Sequence, residues 1–213
     1  MKSTMNHSFS VAPSSEMPRS TFNRSFGHKL TLDAGYLVPI FTEEVIPGDT
    51  LSVRPNLFAR LNTPINPIMD NLFLDTHWFF VPYRLLWDNF RRMMGERNDP
   101  ADDIDYSVPT VTSPGGGYAN QSLQDYLGLP TQVAGYEHSS FFHRAYNLIY
   151  REWFRDQNLI DSPVVDTSSG TDTLSNYVLL RRGKRHDYFT SALPWLQRGD
   201  SVTLPLGTSA PVD

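Results

Sequence analysis

The sequence predicts a mainly β domain, a β-sandwich or jelly roll, with long loop insertions and a few short helices. Three observations support this fold class. Short β-type runs occur singly along the 213-residue chain, aromatic residues make up 13% of it, and 16 Pro and 13 Gly residues interrupt it often. Single strands separated by long excursions are typical of sandwiches and jelly rolls, so the pattern favours a loop-rich β protein over a helical bundle.

Six segments have the character of β-strands: residues 29–32, 36–41, 51–61, 72–81, 177–180 and 201–206. Segment 51–61 alternates apolar and polar residues with a period of two, which predicts a half-buried strand, and Pro55 favours an edge or bulged position for it. Segment 72–81 is apolar on both faces, which predicts a central strand between two layers. Because an eight-stranded sandwich needs at least two more strands, we expect the sequence to be the first part of a longer polypeptide.

Three helices are predicted from apolar spacing and from end signals. Segment 84–94 places apolar residues at helical spacing and is followed by a glycine, which suits a helix C-terminus. A second helix is expected from Ser139 or Ser140 to about Phe154, with serine as its N-cap and one continuous apolar stripe. A shorter helix is expected at 123–127.

The spacing of these elements predicts how the chain is organised. Polar stretches at 98–117 and 161–173 exceed the usual upper loop length of about 12–15 residues, and loops of that length are often functional. We therefore expect insertions at about 83–175 within a folded domain that covers 29–213. Residues 1–28 are rich in Ser, Asn, Thr and Pro, cannot bury enough apolar surface to fold alone, and are predicted to form an extended arm.

The predicted arm contains three isolated rings, Phe9, Phe22 and Phe26. Large rings in a polar segment need a surface to pack on, which favours an arm that becomes ordered along a neighbouring surface over a disordered tail. The arm region is also basic, since residues 1–30 carry a net charge of +3.

Charge is distributed unevenly over a chain whose net charge is −5. A dedicated nucleic-acid binder is usually basic overall, but residues 181–187 carry a net +3 and residues 96–105 a net −4. Different faces are therefore expected to meet different partners. The absence of Cys excludes disulfides and thiolate metal sites. No run of about 18 apolar residues predicts a membrane span.

No constellation of side chains predicts catalysis, a cofactor or a metal. None of the six His residues has H-E-x-x-H spacing, and His138 and His143 are expected on different helix faces. The acidic residues of 99–105 lack the glycine of an EF-hand, which favours a solvated loop over a weak calcium site. The Gly-rich stretch 113–117 lacks the following Lys-Ser/Thr of a phosphate-binding loop. The chain is predicted not to be an enzyme.

A short basic segment, residues 181–185, is the strongest candidate for a binding function. It contains Arg181, Arg182, Lys184 and Arg185 and is followed by Tyr188, Phe189 and Trp195. Cations combined with stacking rings suit single-stranded nucleic acid. Salt bridges to the acids of a neighbouring subunit are an equally good interpretation, because protein interfaces are also enriched in Arg, Tyr and Trp.

Four ordered blocks of sequence resemble a known family. Residues 26–39 read FGHKLTLDAGYLVP, residues 47–50 read PGDT, residues 75–87 read DTHWFFVPYRLLW, and residues 184–199 read KRHDYFTSALPWLQRG. Together they resemble the N-terminal part of microvirus major capsid proteins, most closely the gokushovirus branch. The resemblance implies an eight-stranded viral jelly-roll β-barrel that is incomplete in this chain, because family members are longer and their later portion supplies the remaining strands.

The resemblance also implies a function and partners. It implies a structural, non-enzymatic subunit of a small T=1 icosahedral shell that encloses the circular single-stranded DNA genome of a bacteriophage. The implied partners are copies of the same chain, the DNA, a small basic DNA-packaging protein and a minor pilot protein. The implied location is the virion, assembled in the cytoplasm of the bacterial host.

Two sets of site residues follow. Predicted contacts with the nucleic acid are Lys2, Arg19, Arg24, Arg181, Arg182, Lys184 and Arg185, and predicted interface residues are Phe9, Phe22, Phe26, Trp87 and Trp195. A second hypothesis is a jelly-roll carbohydrate-binding module, which would need aromatic side chains on a concave face. Trp78, Trp87, Trp153 and Trp195 are the available rings, for which core or interface packing is favoured.

Overall fold

The computed structural model describes residues 18–102, 106–196, 198–200, 203 and 207, and the chain divides into two units, Met1–Leu30 and Thr31–Asp213. In the first unit, residues 18–30 contain no helix or strand and are almost entirely exposed. The backbone N–H and the hydroxyl of Ser25 both donate to the side chain of Asn23. Every helix and strand of the described residues lies in the second unit.

The described part of the second unit is mostly non-helical and contains one small antiparallel sheet. Its elements, in order, are a 3₁₀ turn Tyr83–Leu85, helix α1 Phe90–Met93, strand β1 Thr110–Thr112, helix α2 Leu123–Tyr126, strand β2 Glu137–Ser139, helix α3 Phe141–Ile149, a π-helical turn Tyr150–Phe154 and a 3₁₀ turn Leu174–Asn176. Strands β1 and β2 pair with Val111 opposite His138. On its other side β1 meets residues 170–172, because Thr110 N donates to Gly170 O and Asp172 N donates to Thr110 O.

A small apolar core lies between this sheet, α2 and α3. Val111, Leu123 and Tyr177 are its buried members, and the side chains packed around them are Leu127, Tyr146, Leu174 and Leu179. Helix α2 begins at Ser122, whose hydroxyl accepts a hydrogen bond from the Asp125 N–H and so caps the helix. The amide of Gln124 donates to Tyr177 O at 3.0 Å and joins α2 to the chain beyond the last turn.

A buried ion pair connects α3 to the rest of this core. The guanidinium of Arg144 donates twice to the carboxylate of Asp172, at 2.8 and 2.5 Å, and once to Leu86 O at 2.9 Å. Tyr177 donates its hydroxyl to the same carboxylate at 2.6 Å. Burial alone would raise the pKa of Asp172, but the hydrogen bonds from Arg144 and Tyr177 outweigh it and hold that pKa below its usual range.

Two of the three predicted helices are present in the structure. The helix expected from Ser139 or Ser140 to about Phe154 is confirmed, because α3 and the π-helical turn together run from Phe141 to Phe154. Ser140 lies at the N-cap position but makes no capping hydrogen bond with its side chain. The shorter helix expected at 123–127 is also confirmed, as α2.

The single helix predicted at 84–94 is wrong, because the structure has a 3₁₀ turn and the short helix α1 instead. The carbonyl of Leu86, which an α-helix would pair with the N–H of Phe90, accepts from Arg144. The N–H of Phe90 bonds to Trp87 O, and the N–H of Asp88 bonds to Thr167 O. Tertiary partners have therefore replaced the helical hydrogen bonds in the middle of this segment.

The predicted strands form no ladder among the described residues. Tyr36 and Arg181 form one isolated antiparallel bridge, and Leu37 N donates to Leu180 O at 3.0 Å. Segment 50–81 makes no backbone hydrogen bond to any other described residue, and every residue from 50 to 80 is exposed. Segment 201–206 lies almost wholly outside the described residues. The one sheet that forms uses Thr110–Thr112, inside the stretch 98–117 that was predicted to be a loop.

Candidate nucleic-acid interface

The basic segment 181–185 runs across three other parts of the chain. Its first residue bridges to Tyr36, and the N–H of Gly183 donates to Phe154 O at 2.9 Å, at the end of the π-helical turn. A Cβ on Gly183 would lie 3.0 Å from that carbonyl oxygen and 3.1 Å from the nitrogen of Asp156. Glycine is therefore needed for this close backbone approach.

Each arginine of the segment lies over an aromatic ring from a different part of the chain. The guanidinium carbon of Arg181 is 4.5 Å from the centre of the Tyr36 ring, that of Arg182 is 5.7 Å from Phe154, and that of Arg185 is 5.5 Å from Phe73. Such cation–π contacts stabilise by about 0.5–1 kcal/mol each at exposed sites. A guanidinium that stacks on a ring keeps its N–H edge for an anionic partner.

Asp75 provides one carboxylate to two of these arginines. Its Oδ2 accepts from Arg182 at 3.0 Å and from the terminal nitrogen of Arg185. The hydrogen bond from Arg185 is the largest influence on this carboxyl group and lowers the pKa of Asp75, so the group is ionised at neutral pH. Asp75 lies within the extended segment 50–81, where the chain makes no backbone hydrogen bond to other described residues.

A tight turn after the basic segment exposes two further rings. The hydrogen bond from Lys184 is the main cause that lowers the pKa of Asp187 to about 2, and the same carboxylate accepts from the backbone N–H groups of Phe189 and Thr190. The turn leaves Tyr188 and Phe189 91% and 87% exposed, with their rings edge to face at 5.4 Å. Rings exposed to this degree are available to stack on a planar partner.

The charges and rings of this site suit a polyanion with flat groups. Of the four cations, Arg182 and Arg185 pair with Asp75 and Lys184 pairs with Asp187, while Arg181 contacts Tyr36 and neither carboxylate. The cluster therefore keeps a positive charge beside exposed aromatic surface. Phosphates bind guanidinium and ammonium groups, and bases stack on rings without sequence preference.

A family model for a capsid protein (F protein) matches residues 10–213 of the sequence. The chain belongs to this capsid protein family. Among its relatives, the "Capsid protein VP1" of Bdellovibrio phage phiMH2K is 50% identical over 206 residues, which are 97% of this chain and 39% of the relative. That of Chlamydia phage 1 is 47% identical over 223 residues (95% and 37%), and that of Spiroplasma virus 4 is 34% identical over 218 residues (97% and 39%). The chain thus spans about two fifths of the length of these curated relatives.

The remaining predicted DNA contacts of this capsid family member are Arg19, Arg24 and Lys2. Arg19 and Arg24 belong to the first unit, where both are exposed and each has an interaction partner. Lys2 lies outside the described residues. The structure brings together the four cations of segment 181–185 and adds Asp75, Tyr36, Phe73 and Phe154, which were not predicted as part of the site. The charge run marked the segment, but nothing in the sequence marked its partners.

The predicted interface residues have different environments. Phe22 and Phe26 are exposed and Trp195 is about half exposed, while Phe9 lies outside the described residues. Trp87 has no exposed surface, because its ring is buried against Phe141 and its Nε1–H donates to Ser169 Oγ at 2.8 Å. Trp87 is a core residue of its own chain and offers nothing to a neighbouring subunit. Its burial also removes one ring from the hypothetical carbohydrate-binding face.

The histidines have a different arrangement from the one predicted. His138 lies on β2 rather than on a helix, and its ring stacks on that of His143 with centres 5.2 Å apart. Burial lowers the pKa of His143 to about 3, so the ring is neutral. Within the part of the chain that the structure describes, no group of three or more His, Asp or Glu residues is placed to hold a metal ion. Among the same residues no helix has the length and apolar character needed to cross a bilayer.

Proposed function

We propose that the chain is the N-terminal part of a structural major capsid protein, which assembles with copies of itself into a T=1 icosahedral shell around the single-stranded DNA genome of a bacteriophage. Membership of the capsid protein family and the names of the relatives support this proposal. The structural observation that carries it is the apolar surface of the extended segment 50–81. That surface needs partners, and the proposed ones are the rest of a protein as long as the relatives and neighbouring copies of the subunit.

The amount of uncovered apolar surface in this segment is large. Fourteen large apolar side chains between residues 51 and 80 are exposed, among them Phe58, Ile65 and Met69. Soluble monomers rarely expose contiguous apolar patches of more than a few hundred Å², and larger patches mark interfaces. Because the same residues have no backbone partner among those described, both their side chains and their peptide groups need one.

The proposed fold is an eight-stranded viral jelly roll of which this chain supplies the first part. The extended segments 36–41, 51–61, 72–81 and 177–180 are the proposed strands of 29–213, and the remainder of a protein as long as the relatives supplies the others. Residues 1–28 are the proposed arm and residues 83–175 the proposed insertions. The absence of a ladder in segment 50–81 supports this division, because a strand remains single until its neighbours are present.

The basic segment 181–185 is the proposed contact with the genome, together with Lys2, Arg19 and Arg24. The net positive charge beside exposed rings supports weakly sequence-specific binding of single-stranded DNA, dominated by phosphates. The alternative partner is an acidic surface of a neighbouring subunit, for which residues 96–105 have the necessary charge. A small basic DNA-packaging protein and a minor pilot protein are the further proposed partners, and the virion is the proposed location.

Electron microscopy and analytical sedimentation of the purified full-length protein test the shell. We expect closed particles of uniform diameter, and disassembly to smaller species in mild denaturant. A full-length protein that sediments as a stable single subunit at micromolar concentration contradicts the proposal. Phe58→Ser should reduce particle yield, whereas the control variant Gly115→Ala, at an exposed position outside the proposed arm where a methyl group meets no neighbour, should not.

A further inference from the structure

The carboxylate of Asp75 pairs with two arginines of the basic segment, Arg182 and Arg185. The N–H edges of Arg182 and Arg185 converge on a single oxygen of this side chain. The two guanidinium groups therefore form a site for one anion, and the carboxylate of Asp75 occupies that site. The side chains of Asp75 and Arg182 are 37% and 34% exposed, so a ligand from solvent reaches the site without any rearrangement of the core.

A phosphodiester is chemically equivalent to the anion that the site already holds. Both groups carry one negative charge and present oxygens that accept charge-assisted N–H hydrogen bonds. Arginine binds phosphate at least as well as carboxylate, because its planar fork matches either group. Arg182 needs no new orientation when one anion replaces the other, because its guanidinium lies over the ring of Phe154 on the π-helical turn.

The chain around Asp75 permits the carboxylate to leave. Among the described residues its side chain bonds only to Arg182 and Arg185, so rotation of that side chain releases the carboxylate without moving the strand proposed at 72–81. The ion pairs themselves are exposed to solvent, where such pairs contribute little to stability. By contrast, Asp187 accepts two backbone N–H groups and is fixed in its turn.

We propose that Arg182 and Arg185 form a binding site for one phosphate of single-stranded DNA, and that Asp75 occupies this site as a displaceable internal anion until the DNA arrives. The inference rests on the proposed function and adds to it the specific phosphate site and the side chain that competes for it. The competing carboxylate lowers the affinity for DNA. It also prevents the two arginines from holding other anions tightly before the genome is packaged.

The test measures binding of a fluorescently labelled oligo-dT to the full-length protein by anisotropy across a range of salt concentrations. Asp75→Asn removes the competing charge with little change of shape, and we expect it to bind about two- to fivefold more tightly than the wild type, the scale of an exposed ion pair. Asp70→Asn is the matched control, because it makes the same charge change five residues away in the same extended segment. It should leave the affinity within the error of the measurement.

One double variant separates the proposed DNA contact from the proposed displaceable anion. Arg182→Ala with Arg185→Ala should weaken binding and make the dependence of log K on log salt shallower by roughly 0.7 for each phosphate that the protein no longer neutralises. If this double variant binds as the wild type does, the proposed DNA contact itself is wrong. If it loses affinity while Asp75→Asn matches Asp70→Asn or binds more weakly, the DNA contact stands and the displaceable anion is wrong.

Asp75→Glu provides a readout that does not depend on the neutral variant. It keeps the negative charge on a longer side chain, and we expect its affinity and its salt dependence to remain those of the wild type. Tighter binding by Asp75→Glu would show that charge is not what limits the site, and would overturn the inference. Thermal unfolding of each variant, compared with the wild type, confirms that the comparison is made between folded proteins.

Discussion

Two parts of the second unit contrast in how they are held. The compact region, residues 82–180, contains the buried core, the Arg144–Asp172 ion pair and all helices and strands of the described chain. The extended segment 50–81 has exposed residues from 50 to 80 and no backbone bond to other described residues. The compact region holds its apolar core and its buried ion pair within its own residues, whereas segment 50–81 needs partners that it does not contain.

The regular secondary structure lies in the part of the chain that was expected to be loops. The barrel strands were expected to form the framework and the insertions at about 83–175 to be loops upon it. Strand pairing between distant segments is non-local, so a strand gains nothing until its neighbours arrive. The compact region, which covers most of the proposed insertion, forms its core from contacts among its own residues. The segments proposed as barrel strands form no ladder among the described residues, and we expect their partners in the rest of the protein.

The largest expected effect comes from breaking the buried ion pair of the compact region. Asp172→Asn leaves the guanidinium of Arg144 charged and buried, with side-chain exposures of 0% and 3% in the wild-type pair. We expect the free energy of unfolding, from urea titration, to fall by about 3–5 kcal/mol. Glu96→Gln removes the partner of Arg91 in an exposed pair and should cost less than about 1 kcal/mol. Equal losses in the two variants would contradict the contrast.

A second expected effect is the loss of stability in mild acid through His143. Its pKa is lowered to about 3 by burial, with the nearby His138 as the second cause and Asp172 opposing both, while an unfolded histidine titrates near 6.5. The unfolded state thus binds the proton first, so stability is fully present above pH 6.5 and falls as the pH drops towards 3. Between pH 6.5 and 5 the loss is about 2 kcal/mol.

Urea titrations at pH 6.5 and pH 5 check this effect. The free energy of unfolding of His143→Gln should fall much less between these two pH values than that of the wild type. Arg144, Asp172 and Tyr177 also lie beside this ring. The pKa of Asp172 is lowered below its usual value, so this carboxyl group affects the pH dependence of stability only below about pH 4, outside the chosen window. His28→Gln is the control, because His28 is exposed in the first unit and its replacement should leave the acid loss unchanged. A pH dependence that is the same in His143→Gln and the wild type would show that the buried ring is not its source.

A smaller effect is expected where the basic segment meets the compact region. Gly183→Ala places a methyl group 3.0 Å from Phe154 O and 3.1 Å from Asp156 N, both backbone atoms that cannot move independently. We expect a cost of about 1–2 kcal/mol and a weaker hydrogen bond between Gly183 N and Phe154 O, seen as faster amide hydrogen exchange at that position. Gly115→Ala is the control, since a methyl group there would have no neighbour within 4 Å and the φ of Gly115 is not positive. A tolerated Gly183→Ala would mean that the two segments are not held together here.

The sequence predicted those features that depend on local pattern. Helix α3 follows from apolar spacing and a preceding serine, and the short helix expected at 123–127 is α2, so both are present near the expected bounds. The helix at 84–94 failed because the carbonyl of Leu86 bonds to Arg144, which lies 58 residues away. Strands β1 and β2 were missed because each has three residues, and only one of the six, Val111, is a buried apolar residue. Local pattern does not show a partner that distant parts of the chain provide.

In the candidate site, too, the local feature was predicted and the distant partners were not. The charge run at 181–185 is local, and the sequence identified all four of its cations. Asp75 lies 107 residues from Arg182 and 110 from Arg185, and Phe73 and Phe154 come from two further segments. Segment 72–81 was singled out only as a strand, because its apolar run dominated the pattern. Only the fold shows that this segment also supplies the carboxylate and the ring that hold the arginines.

The smallest expected effect on the stability of the chain comes from the extended segment, and it gives the sharpest form of the comparison. Phe58 is 93% exposed, so Phe58→Ser should change the free energy of unfolding by no more than about 0.5 kcal/mol. Leu123→Ala, within the core, should cost about 2–5 kcal/mol. In the full-length protein the order should reverse for particle yield at a temperature where both variants are folded, because the proposed assembly would cover Phe58, whereas Leu123 is already buried in the core. If Phe58→Ser assembles as well as the wild type, the exposed apolar surface at this position is not what drives the copies together.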